Sequence, residues 1–290
     1  MQADLTVSIV QMTSSNRHEP NVEAVRVAAA AAKSDGAQLL ALPEVAGLMN
    51  ANGDDARTQI VAAGDDPFIS ECREQATRHG LWIHPGSTPV LGPRGRFLNH
   101  TALIDDRGGI LATYDKIHLF DVHLEGKQPM GESRRYDPGD RAVLVDTPWG
   151  PWGLSICYDL RFPQLYRDYA RNGATVLFVP SAFTVPTGSA HWRILLRGRA
   201  IENGAWVIAA AQVGQHDDGR TTYGHSMVVG PWGDVVTDLG GDRPCQKTLR
   251  IDLDAVRRAR SQIPSLAHDR RYGFLHVRAT GPGNAVRKLV

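Results

Sequence analysis

The sequence predicts an α/β protein. Short runs dense in Val, Ile and Leu alternate with longer helical patterns, and two direct strand-to-strand successions add antiparallel pairs to the sheet. The first run, residues 7–10, leads into a helix over about 21–33, with Asn21 after Pro20 as the expected N-cap and Gly36 as the stop. A strand at 39–42 follows. Further strands are expected at 81–83, 101–104, 110–114, 143–145, 153–156 and 175–179, with helices around 163–171 and 190–202. Strands then return at 205–211, 226–229, 235–236 and 247–251. Turn chemistry at 105–109 and 231–234 makes 101–114 and 226–251 read as hairpins.

No repeat, linker or composition shift divides the chain, and 290 residues fit one large α/β unit. One domain is expected over residues 1–265. Residues 266–290 form a tail, Gly/Pro-rich at 280–284, that is expected to be loose unless it docks on a neighbouring subunit.

Lys plus Arg (32) nearly cancel Asp plus Glu (31), so no global field draws the protein to nucleic acid or to an anionic membrane. Local charge at 269–271 and near Lys288 reads as solvated or subunit-contact surface. Apolar residues make up 42% of the chain but are too dispersed for a membrane span, and the start, Met1-Gln-Ala-Asp4, lacks a secretory pattern. Three cysteines, an odd number without a CxxC pair, suggest neither a disulfide framework nor a zinc site. The expectation is a cytoplasmic protein whose partners are a small molecule and copies of itself.

Cys157 ends the apolar run 153–156 and opens a segment leading into a helix, which presents a thiol at a strand-to-helix turn. Such a turn favours the thiolate and offers backbone N–H groups to a developing oxyanion. By itself a cysteine at a strand end is ordinarily a small buried hydrophobe. Glu44, just after the 39–42 strand and Pro43, sits at a sheet rim where it can act as general base, or merely as a capping or surface carboxylate. Lys116 ends another strand in a chain with five lysines. Its ammonium suits a tetrahedral oxyanion, while the plain alternative is a solvated pair with Asp115. Glu132 reads as a loop carboxylate, promoted only by its company: a second acid can fix the lysine or orient a substrate amide.

Other chemistries lack their motifs. His118 and His123 bracket Asp121 without any HExxH-like spacing, so no metal is expected. GxGxxG, Walker and GxSxG patterns are absent as well.

Pro43-Glu44, Tyr114-Asp-Lys-Ile-His-Leu-Phe120 and Cys157-Tyr-Asp-Leu-Arg-Phe-Pro163 resemble, in order, the three signature blocks of the nitrilase superfamily of carbon–nitrogen hydrolases. The resemblance continues through Gly131-Glu-Ser133, Tyr136-Asp-Pro-Gly-Asp140, residues 190–203 and Tyr223-Gly-His-Ser-Met-Val-Val-Gly-Pro-Trp-Gly233, and covers the chain to about Ile251. It implies a four-layer αββα sandwich of two mixed sheets flanked by helices, assembled as homodimers or larger oligomers, with no cofactor. It assigns Glu44 as general base, Lys116 as oxyanion-stabilising lysine, Cys157 as nucleophile and Glu132 as auxiliary glutamate.

Pro129-Met-Gly-Glu-Ser133 and the last two blocks are most similar to the branch of deaminated-glutathione amidases and neighbouring ω-amidases, which implies a small amide carrying carboxylates. Arg161, Phe183 and Thr187 resemble its substrate-binding residues, with Tyr158 beside the nucleophile. A guanidinium at Arg161 also suits bidentate capture of a carboxylate. The segment 45–50 and the chain beyond 265 match no particular substrate class. N-carbamoyl amino acids, aliphatic amides and nitriles are the alternative substrates, and an inactive ligand-binding scaffold is the alternative from another class.

Overall fold

The computed structural model describes residues 2–123 and 130–276. The sequence features at Pro129, at 280–284 and at Lys288 lie outside them. Two mixed sheets form the middle of the molecule. In the first, the order is Cys245–Asp252, Asp4–Gln11, Leu39–Ala41, Trp82–His84, Phe97–Ile104, Thr88–Leu91, with Ile110–Asp115 also paired to Phe97–Ile104. In the second, it is Val235–Asp238, Met227–Val229, Trp206–Ala209, Val176–Phe178, Gly150–Leu154, Val143–Thr147. The central pairs of each sheet are parallel and the edges antiparallel.

Strand alternation builds the layers. Leu39 and Ala41 point into a large core shared with Trp152, Leu154, Val176 and Phe178 of the second sheet. Their neighbours Leu40 and Leu42 point the other way, into a core with Val25, Ala29, Phe68 and Cys72 from the His18–Ser34 and Pro67–His79 helices. The Pro163–Arg171 and Arg193–Asn203 helices cover the second sheet. The expected four-layer sandwich is what forms.

Strand positions agree to within a few residues, and the helix at 163–171 is as read. One detail is corrected: the first helix starts at His18 with Arg17 at the N-cap, so Asn21 lies inside it. Asn21 is buried there and bonds Ser15 N, Ser15 O, Arg17 O and Gly47 O, tying the helix start to the loop after Glu44. The helix expected at 190–202 runs Arg193–Asn203, preceded by a π-turn at Gly188–Trp192. Beyond the sandwich, Tyr272, Phe274 and Leu275 are exposed. Among the described residues no helix is long and apolar enough to cross a membrane.

Candidate active site

Four side chains meet where the ends of both sheets face each other. Glu44 leaves the Leu39–Ala41 strand on a turn that admits little freedom. Val45 has φ +50°, a costly value for a β-branched residue, and its N–H donates to Ser87 Oγ at 2.9 Å. A Cβ on Gly86 would fall 1.8 Å from Pro43 O, so only glycine permits this approach. Gln212 Nε2 holds Glu44 O at 2.9 Å. With its backbone pinned from both sides, the buried carboxylate is fully used: Oε1 accepts from Lys116 Nζ (2.9 Å) and Asn99 Nδ2 (3.0 Å), and Oε2 accepts from Ala182 N (2.8 Å).

Lys116 is 2% exposed, which removes the solvated pairing with Asp115. Its ammonium also donates to Glu132 Oε2 at 2.9 Å. Glu132 begins a short 3-10 turn, receives Phe120 N on Oε2 at 2.7 Å and Asn99 Nδ2 on Oε1 at 3.2 Å. Burial alone would push the Lys116 pKa down, but Glu132, Glu44 and Cys157 outweigh it and hold the group well above its ordinary value. The lysine is therefore a fixed cation.

Cys157 opens the Cys157–Arg161 3-10 segment at φ +49°, with its own N–H spent on Pro180 O at 2.9 Å. Its thiol is buried and its pKa is pushed well up, by desolvation first and by the Glu44 carboxylate second, with Lys116 opposing. Glu44 and Lys116 thus lie close enough to govern the acidity of the thiol. Desolvation and the adjacent carboxylate thus oppose the thiolate that its turn would favour.

Asp159 locks this turn to the lysine strand. Fully buried, it accepts from Ile156 N (2.8 Å) and Tyr114 Oη (2.6 Å) on Oδ2, and from His118 N (3.0 Å) on Oδ1. Lys116 lies between Tyr114 and His118, so the Cys157 turn and the ammonium share one clamp. Sequence reasoning missed both Asp159 and Asn99. Asp159 stands two residues after Cys157 inside a signature block, whereas Asn99, mid-strand, offers no local signal.

The four side chains open on a cavity of about 380 Å³, within the usual range for small-molecule sites. Tyr158, Phe183 and Thr187 line it, as do Phe120, Arg135, Tyr136 and Arg220. Arg161 is not among the lining residues. Its guanidinium lies 5.7 Å from the Tyr158 ring centre and 5.6 Å from that of Phe183, with Nη2 3.3 Å from His191 Nδ1. A separate depression of about 340 Å³ beside Ile201, Trp232 and Ile263 is lined by no carboxylate, imidazole or thiol. No group of three or more metal-ligating side chains occurs among the described residues.

The model of the carbon-nitrogen hydrolase family matches residues 6–261. This chain belongs to that family. The deaminated glutathione amidase of Yersinia enterocolitica is 41% identical over 240 residues, 82% of this chain and 83% of that one. The crystal structure of the NitFhit protein of Caenorhabditis elegans superposes with a TM-score of 0.85 at 38% identity, covering 93% of this chain and 66% of that longer one. An amidase variant from Nesterenkonia sp. AN1, whose active-site cysteine carries acrylamide by Michael addition, superposes with a TM-score of 0.74 at 28% identity, covering 90% and 98%. This carbon–nitrogen hydrolase is accordingly an amidase of the nitrilase superfamily.

Proposed function

We propose that Cys157 is the nucleophile of the amidase, that Glu44 moves its protons, that Lys116 stabilises its oxyanions, and that the substrate is a small carboxylate-bearing amide of the deaminated-glutathione kind. One observation carries the reading: a carboxylate and a fixed ammonium, hydrogen-bonded to each other, line the same cavity as a single thiol and bear on its acidity.

Glu44 takes the thiol proton as the sulfur attacks the amide carbon. Lys116, too basic to serve as an acid, stabilises the oxyanion together with the Tyr158 N–H, which as a first-turn donor has no intrahelical partner. The proton on Glu44 then passes to the leaving amine as the C–N bond breaks, and a thioester remains on Cys157. Water gives a proton to Glu44 and attacks the thioester. Collapse releases the carboxylic acid, and the sulfur regains its proton from Glu44. Glu132 and Asn99 hold the lysine and the base in register.

The name of the Yersinia enterocolitica relative supports the substrate assignment. Three unpaired cysteines support a reducing cytoplasm, and the exposed Ile194, Ile201 and Trp232 support a homo-oligomer. The test is a panel of deaminated glutathione, α-ketoglutaramate, simple aliphatic amides, nitriles and N-carbamoyl amino acids. Deaminated glutathione is expected to lead in kcat/KM by about tenfold or more, with cysteinylglycine as the released amine. Faster turnover of a neutral amide or an N-carbamoyl amino acid would reassign the substrate.

A further inference from the structure

We propose that Arg135 and Arg220 form a subsite for a carboxylate of the substrate remote from the scissile bond, a proposal that rests on the carboxylate-bearing amide assigned above. Both line the reaction cavity. Its other formal charges are already engaged with one another: Glu44 and Glu132 share the Lys116 ammonium. Among the described residues neither guanidinium pairs with Glu44 or Glu132, and only Arg220 has a carboxylate partner, Asp218.

Each is held in a different way. Arg135 follows the Glu132–Arg134 turn, is half-buried, and donates from Nη1 to Ala51 O at 3.0 Å. Among the described residues it has no ion pair, because the nearby Asp137 is taken by Arg94 and Arg96. Its Nε and Nη2 edge remains for an anion. Arg220 projects from the turn joining Val213–Gln215 to Thr221–Tyr223, and Asp218 Oδ2 receives its Nε at 2.6 Å and Nη2 at 2.5 Å. That contact fixes the guanidinium plane and leaves Nη1. The buried Tyr136 phenol, whose pKa is pushed up to about 12 by desolvation, lines the same cavity as both arginines.

A half-buried guanidinium without a partner gains most from a ligand that brings a carboxylate of matching fork geometry. Arg161, the arginine that sequence alone selects, does not line this cavity and lies over the Tyr158 and Phe183 rings with Nη2 3.3 Å from His191 Nδ1. The subsite would thus recognise the charge on the substrate, while the floor performs the chemistry.

Steady-state kinetics of the full-length wild type, Arg135→Gln, Arg220→Gln and the double variant test this with two substrates: deaminated glutathione, and its analogue with both carboxylates converted to carboxamides. Each single variant should raise KM for the charged amide about tenfold with kcat nearly unchanged, and the double variant about 100-fold. Turnover of the neutral analogue should stay within about twofold in the same preparations, which also reports that they are folded. Parallel losses on both substrates, or an unchanged KM for the charged one, would overturn the subsite. If the wild type itself shows no preference for the charged amide, the substrate assignment fails and the subsite with it. A preference that survives in the double variant removes the subsite alone.

Discussion

Cys72 and Cys157 are both buried thiols, and desolvation is the largest cause raising the pKa of each. Their surroundings differ. Cys72 lies on the Pro67–His79 helix among Val25, Ala29, Ala76 and Leu81, sealed between helix and sheet. Cys157 borders a cavity that the Glu44 carboxylate and the Lys116 ammonium also line, the proposed base and oxyanion cation. Burial is common to both and does not distinguish them. The difference lies in having a base, a cation and space for a substrate on the same side of the sulfur.

The comparison can be broken most severely by exchanging the thiols one at a time. Cys157→Ala is expected to lower kcat by roughly 10⁴-fold or more while the far-ultraviolet circular dichroism and melting temperature stay near wild type. Substantial residual hydrolysis would remove the proposed nucleophile.

Glu44→Gln sharpens the same contrast, because it should act on hydrolysis and on thiol acidity in opposite directions. Hydrolysis should fall by roughly 10³-fold through loss of the base. In the wild type, alkylation of Cys157 by a small neutral reagent should be slow near neutrality and quicken only at a pH above that of an ordinary free thiol. Since the Glu44 anion raises the thiol pKa, removing its charge should move that alkylation profile to lower pH. A profile that stays in place or moves upward would show that Glu44 does not act on this sulfur.

The smallest effect on activity is expected from Cys72→Ser. It should leave kcat and KM within about twofold but cost about 1–3 kcal/mol of stability in denaturant unfolding, because a hydroxyl replaces a thiol in an apolar cluster. A loss of turnover without a loss of stability would contradict the contrast.

The fold was legible where one physical signal dominated. The apolar run at 39–42 marks a strand buried on both faces, whose neighbouring residues enter different cores, and strand ends at 44, 116 and 157 deliver reactive groups to a common edge. The Pro67–His79 helix escaped because its polar residues, among them Glu71, Arg73, Glu74 and Gln75, dilute the apolar period. Its ends are nonetheless well marked by the Asp66 cap on Ile69 N, Pro67 in the first turn and Gly80 at φ +58°. Asn21 resembled a cap because its residue type favours caps, yet its side chain serves loop carbonyls instead. Glu44, Lys116 and Cys157 could be singled out at strand ends, while Asp159 was missed despite its place in a signature block. Asn99 and Arg220 were missed because long-range strand pairing and a hairpin bring them to the cavity, which no neighbouring residue encodes.

The most direct test of the central proposal is intact-protein and peptide mass analysis of the enzyme acid-quenched during turnover of deaminated glutathione. The account predicts an added mass equal to the acyl half of the substrate, confined to the peptide bearing Cys157 and released by hydroxylamine. An acyl group found on another residue, or a Cys157 peptide that stays unmodified throughout the pre-steady-state interval, would contradict it.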